Sequence, residues 1–147
     1  MKRVAIAVLC VAATAFTVQA QQAKPENQIK YRKAAYTLMN LNFGSLAAMA
    51  EEKKPFNKDD AARNADFVAL LSTVPKENFG EGTEKDTKAK PEIWANRADF
   101  DSKMNKMVSE AAKLPSAVRG GDGPAFRKQV ADVGAACKAC HDEYKAK

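Results

Sequence analysis

Apolar residues recur every three or four positions through four stretches of this chain, and no stretch alternates them every second position. A helix turns once in ~3.6 residues, so this spacing lines up one apolar stripe that another element must cover. From about residue 25 to 52, Ile29, Tyr36, Met39, Phe43, Leu46 and Ala50 form such a seam, and Pro55 ends it. The second stretch opens at Asn57, a good N-cap, with Asp59 and Asp60 in its first turn. Ala61, Ala65, Val68 and Leu71 carry its stripe, and Pro75 closes it. The third starts at Pro91, runs through Ile93, Phe100, Met104, Met107, Ala111 and Leu114, and is ended by Pro115 and Gly120-Gly121. The fourth opens with Asp122 as N-cap and carries Phe126, Val130, Val133, Cys137, Cys140 and Tyr144. The pattern predicts an all-α, antiparallel four-helix bundle. Residues 76–90, with Asn78, Gly80, Gly82 and Thr83, read as a loop that crosses the bundle or lines a site.

The start of the chain reads differently. Lys2 and Arg3 precede an uncharged apolar run, Val4 to Phe16, and Val18-Gln19-Ala20 supplies a cleavage site. Residues 1–20 are therefore expected to be a secretory signal peptide, with Cys10 an ordinary residue of its apolar core. The run is too short for a spanning helix of ~20 residues, and no later segment is apolar enough to span. The mature chain, residues 21–147, has the length of one domain. Loss of Lys2 and Arg3 lowers the formal charge of +6 by two. The remaining cations are interleaved with Asp and Glu along the whole chain, without the clustered basic face that nucleic-acid binding requires.

Two cysteines then remain, three residues apart. Such a pair cannot staple distant segments, so it serves local chemistry. Cys137-Lys138-Ala139-Cys140-His141 is C-x-x-C-H, the attachment sequence of c-type haem. Thiols at i and i+3 project on one side of a helical turn, where both can form thioethers with the vinyl groups of one haem edge. His141 then brings its imidazole under the iron. Two other chemistries use similar residues. Zinc needs about four ligands, and the mature chain has no further His or Cys. Thioredoxin-like dithiols sit at a helix start after a strand, whereas this pair lies near a helix end in an all-helical chain.

With those residues in view, the mature chain resembles the class II cytochromes c, and within them the cytochrome c′ family. The resemblance rests on C-x-x-C-H close to the C-terminus, Tyr31-Arg32 in the first helix, and Phe79-Gly80-x-Gly82-Thr83-Glu84 in the crossover loop. Pro91-Glu92-Ile93-Trp94 and Asp132-Val133-Gly134-Ala135 add to it. It implies an up-down-up-down bundle, a topology of which cytochrome c′ is itself a standard example. It implies one haem c per chain, bonded to Cys137 and Cys140, with His141 as the axial iron ligand.

The sixth iron position decides the function. Low-spin members of class II place a ligating Met where this chain has Tyr36; the resemblance makes Tyr36 a bulky non-ligand on the distal face. Met39 is expected to line the pocket, with iron ligation ranked below that; plain core packing is the alternative for both Tyr36 and Met39. A five-coordinate iron in an apolar pocket is expected, suited to nitric oxide and carbon monoxide. The alternative is a low-spin one-electron carrier. A weak nitric oxide reductase or peroxidase ranks last, since no distal acid or His is evident, and a non-enzyme is the expectation. Phe79 is expected in the pocket wall, and Arg32 and Lys33 are candidate partners of the haem propionates. The resemblance further implies a periplasmic protein with a redox partner there. A homodimer through the first two helices is expected, because Ala35, Leu38, Leu41 and Ala48 leave the first helix apolar outside its seam.

Overall fold

The computed structural model describes residues 24–147; the expected signal peptide, residues 1–20, lies outside them. Six helices follow in order: α1 (Pro25–Ala50), α2 (Lys58–Leu71), α3 (Glu92–Ala95), α4 (Arg97–Ala111), α5 (Leu114–Arg119) and α6 (Pro124–Tyr144). A 3-10 turn, Pro75–Asn78, begins the crossover from α2 to α3. α1 packs chiefly on α2, α4 on α6, and α2 on α5. The chain thus forms a four-helix bundle whose third arm is broken into α3, α4 and α5. Among the described residues, no helix is long and apolar enough to cross a membrane.

The local signals explain most boundaries. Asn57 caps α2, its side chain accepting the Asp60 N–H at 2.9 Å. Pro25 sits in the first turn of α1, where a missing N–H costs nothing. Three expectations need correcting. The third helix is not continuous: it bends at Asn96, the C-cap of α3 and N-cap of α4. Pro115 does not terminate it but stands in the first turn of α5, which buries Leu114 and Val118. α6 starts from Gly123, with no side-chain cap bond, and Asp122 instead pairs with Arg127 at 3.4 Å.

The interior has two parts. Leu46, Met49, Ala61, Ala65, Leu114 and Phe126 belong to one cluster, filled solidly between α1, α2, α5 and α6. Met39, Phe79, Phe100, Met104, Cys140 and Tyr144 belong to the other, at the end that carries C-x-x-C-H. In the first turns of α1 the buried residues are Gln28, Arg32 and Ala35, while Ile29 of the expected seam is only half-buried.

Candidate haem site

A cavity of about 950 Å³ opens between α1, α4, α6 and the crossover loop, and Cys137, Cys140 and His141 all line it. Its walls are largely apolar: Met39, Ile93, Phe100, Met104, Met107 and Tyr144 contribute. The α6 stripe explains the placement. Val130, Val133 and Cys140 are buried on the bundle side, and the residue after Cys140, His141, lines the same opening.

Both thiols are held in their protonated form. Burial raises the Cys137 thiol, and burial first, then the neighbouring Cys137, pushes Cys140 up to about 11. Reactive dithiols are depressed in pKa, so the microenvironment is the reverse of a redox centre. His141 moves the other way: desolvation lowers it, the Lys145 ammonium adds to the shift, and Asp142 opposes it. A lowered pKa keeps the imidazole neutral, the form that ligates a metal. Among the described residues, no group of three or more His, Cys, Asp or Glu side chains is placed to hold a metal ion directly. The zinc alternative therefore lacks its ligands.

Tyr36 faces the cavity from α1, and its hydroxyl lies 3.9 Å from the Met104 sulfur. Burial is the main cause of a phenol pKa well above its ordinary value; Cys140 adds to the shift and Arg32 opposes it. The phenol is thus neutral at any physiological pH. Met39 is buried beside it and also lines the cavity.

Arg32 is 3% exposed and acts as a clamp on the crossover loop. Its Nη1 donates to the Asn78 carbonyl and to Thr83 Oγ1, each at 2.9 Å. Its Nη2 donates to the Thr83 carbonyl and to Thr87 Oγ1. The guanidinium also lies 4.2 Å from the centroid of Phe79, which is buried against Phe100 with centroids 4.8 Å apart. Arg32, Lys33 and Phe79 all border the cavity, and Lys33 Nζ donates to the Asp86 carbonyl at 3.0 Å.

The loop motif has a structural reason. A Cβ on Gly80 would come 2.8 Å from Gln28 Oε1, which accepts the Gly80 N–H at 3.0 Å. Gly82 adopts a φ of +77°, a left-handed conformation that favours glycine. Trp94 Nε1 donates to the Gly80 carbonyl at 3.1 Å and Arg97 to the Phe79 carbonyl at 2.8 Å, pinning the loop from the other side. Sequence reasoning singled out Trp94 and Thr83 as landmarks but assigned no role to Gln28, Thr87, Arg97 or the Tyr144–Asp99 hydrogen bond.

A cavity of this size and apolarity, with two protonated thiols and a neutral imidazole on one wall, fits a covalently held haem. A flat apolar macrocycle would fill the space, and the buried charge at its edge, Arg32, is already held by the crossover loop. Comparison with known proteins agrees. The family model for cytochrome c′ matches residues 27–145. The curated cytochrome c′ of Rubrivivax gelatinosus is 41% identical over 126 residues, covering 84% of this chain and 98% of that one. The solved cytochrome c prime of Shewanella frigidimarina superposes with a TM-score of 0.81 at 42% identity, over 84% of this chain and 98% of that chain. A nitric oxide complex of a variant of the Alcaligenes xylosoxidans protein superposes at 0.77, 39% identical over 85% of this chain and 98% of that one. The chain belongs to the cytochrome c′ family, and with that membership goes a covalently attached haem c.

Proposed function

We propose that this chain is an exported, periplasmic haem protein that binds small uncharged gases, nitric oxide and carbon monoxide, at a five-coordinate iron. Cys137 and Cys140 would hold one haem through thioethers and His141 would supply the axial ligand. The haem contributes an iron able to bind a diatomic gas; everything else is the work of the polypeptide. The observation that carries the reading is Tyr36, which lines the cavity with its hydroxyl beside Met104; by the family resemblance this is the position where a low-spin relative would supply a ligating Met. A neutral phenol is a poor iron ligand, and the raised pKa keeps it neutral. The apolar wall favours uncharged gases over anions and water. Lys33 and Arg32 border the same opening and would meet the propionates, Arg32 through whatever donor capacity its loop clamp leaves. Among the described residues, the one carboxylate lining the cavity, Asp142, is on α6 next to His141 and is paired with Lys138, which supports a binder rather than an enzyme.

The test is Tyr36→Ala in the holoprotein. If Tyr36 must be displaced by an incoming gas, the smaller residue should speed carbon monoxide association and tighten it about tenfold, equivalent to ~1.4 kcal/mol of displacement cost. Flash photolysis reads this directly. Carbon monoxide kinetics equal to the parent's, beside a stability loss of ~3–5 kcal/mol for truncating an aromatic, would return the one-electron carrier to first place.

Two copies would pair through α1 and α2. Leu38, Leu41, Phe67 and Leu70, all on these two helices, are between 46% and 66% exposed, an unusual concentration of large apolar side chains on one pair of helices. Leu41→Lys with Leu70→Lys should yield a monomer in sedimentation while the parent is a dimer. A parent that sediments as a monomer at every concentration rejects the pairing.

A further inference from the structure

Four lysines from three segments ring the mouth of the haem cavity. Lys33 comes from α1, Lys88 from the crossover loop, Lys138 from α6 and Lys145 from the residue after it; all four are exposed and line the opening. The fold assembles this ring. An antiparallel bridge joins Ala89 to Lys145, the Ala146 N–H donates to the Lys88 carbonyl at 2.8 Å, and the Lys90 N–H donates to the Tyr144 carbonyl at 3.0 Å. The bridge thereby ties the segments of Lys88 and Lys145 together at the opening. The one carboxylate lining the opening, Asp142, is already occupied by Lys138 at 2.5 Å. Among the described residues, Lys33, Lys88 and Lys145 form no ion pair; with Lys33 meeting a propionate as proposed above, Lys88 and Lys145 remain the uncompensated cations. Along α4 and the start of α6, by contrast, Arg97, Lys103, Lys106 and Lys128 each have a carboxylate partner.

Like charges gathered at one opening cost Coulomb energy and raise the local positive potential. That arrangement suits an anionic surface of protein size. A small anion would need convergent, buried donors, and these side chains are spread and solvated. A lipid surface would also need apolar side chains to insert. The large exposed hydrophobics Tyr31, Leu38, Leu41, Phe67 and Leu70 all lie on α1 and α2, and none lines the mouth. Carbon monoxide binding of the kind proposed above requires ferrous iron, and that electron must arrive from outside the chain. We propose that the lysine-rimmed mouth is the docking face for an acidic electron-transfer protein that reduces the haem of this chain. The proposal rests on the haem-and-gas reading. One electron leaves the partner's reduced centre, which is oxidised by one electron; ferric iron becomes ferrous; no bond is made or broken and no proton need move.

The experiment compares two double variants of the holoprotein with the same change of net charge. Lys88→Glu with Lys145→Glu reverses the mouth. Lys54→Glu with Lys58→Glu reverses charge around the α1–α2 turn, at the other end of the bundle. A photoreduced acidic flavodoxin serves as the electron donor, and oxidised flavodoxin is titrated while backbone amide shifts of the cytochrome are followed. The mouth variant should be reduced more than ~tenfold more slowly at low ionic strength, and the control less than ~twofold. The difference should shrink as salt shortens the Debye length. Amide shifts should cluster at residues 33, 88, 138 and 145. Equal slowing by both variants, or shifts scattered over the surface, would mean that only net charge matters and overturns the docking face. Binding to phosphatidylglycerol vesicles that depends on Lys88 and Lys145, without flavodoxin binding, would assign the face to a membrane instead. Carbon monoxide binding by the parent is measured in parallel. If the parent fails to bind it, the gas reading falls, while the charge effect is still read on its own.

Discussion

At one end of the bundle α1, α2, α5 and α6 close over Leu46, Ala61, Ala65, Leu114 and Phe126, each fully buried. At the other, α1, α4 and α6 stand around a cavity of about 950 Å³. The same helices serve both ends, so the contrast comes from side-chain size and from the crossover loop. Alanines on α2 let it approach α1 closely, and the space is filled. Near C-x-x-C-H the long side chains Met104, Phe100 and Tyr144 line a hollow rather than fill it, and the loop holds it open. Without its haem, a void even a tenth as large would cost ~2 kcal/mol at ~24 cal/mol per Å³. Net stability is only ~5–15 kcal/mol. The solid end is stable by its own packing; the hollow end depends on what it binds.

The sharpest way to break that comparison is to prevent haem attachment. Cys137→Ala with Cys140→Ala should leave a protein without haem by intact mass. Its melting temperature should fall by on the order of 15 °C or more, at ~3–5 °C per kcal/mol for a domain of this size. Amides of Leu46, Val68 and Leu114 should keep protection from hydrogen exchange, while those of Met104 and Ala136 lose it. A variant that melts like the parent, or that loses protection uniformly, would show that the two ends are not separately supported.

A smaller effect is expected from Arg32→Leu. The substitution keeps bulk but removes the donors to Asn78, Thr83 and Thr87 and the cation over Phe79. Hydrogen bonds from a charged group are worth ~1.5–3 kcal/mol each, and the carbonyls left behind are partly shielded from water. A loss of about 3 kcal/mol, with faster exchange confined to residues 79–87, is the expected result. Exchange unchanged in that loop would remove Arg32 as its clamp.

The two ends were unequally legible in the sequence. The stripes of α2 and α6 and the Asn57 cap were readable because their partners are local or uniformly apolar. C-x-x-C-H was readable because its chemistry is contained in five residues. The hollow end resisted because its first helix buries Gln28 and Arg32, polar residues that break the apolar rhythm. Their partners lie 46 to 55 residues downstream in the loop. Long-range polar contacts leave no periodic trace, so Ile29 was expected where Arg32 is found. The break of the third arm at Asn96 was also hidden, since the apolar spacing from Ile93 to Phe100 runs across it. Tyr144 was legible as a stripe residue but not as a donor to Asp99, because Asp99 sits on an exposed helical face.

The solid end has one weakness of its own, and pH exposes it. Glu110 has a side chain only 5% exposed. Its carboxylate accepts from Lys106 at 2.7 Å, from Gln129 at 2.9 Å and from Lys113 at 2.9 Å. Those hydrogen bonds, Lys106 first, draw it from an ordinary value near 4.5 down to about 2, against the opposing cost of desolvation. A carboxyl whose folded pKa is depressed contributes stability that is fully present above the unfolded value. As pH falls below about 4.5 the unfolded chain takes up the proton first, and the contribution drains away until the folded carboxyl also titrates near 2. The parent should therefore lose stability across that window, and Glu110→Gln, which cannot titrate, should show a shallower slope there while starting lower at neutral pH. The effect belongs to one group and is smaller than loss of the haem or of the loop clamp. Thermal melts between pH 2 and 6 measure it, and amides around Val118 and Val130 should loosen before those around Met104. Parallel slopes for parent and variant would show that Glu110 is not the acid-sensitive point of the solid end.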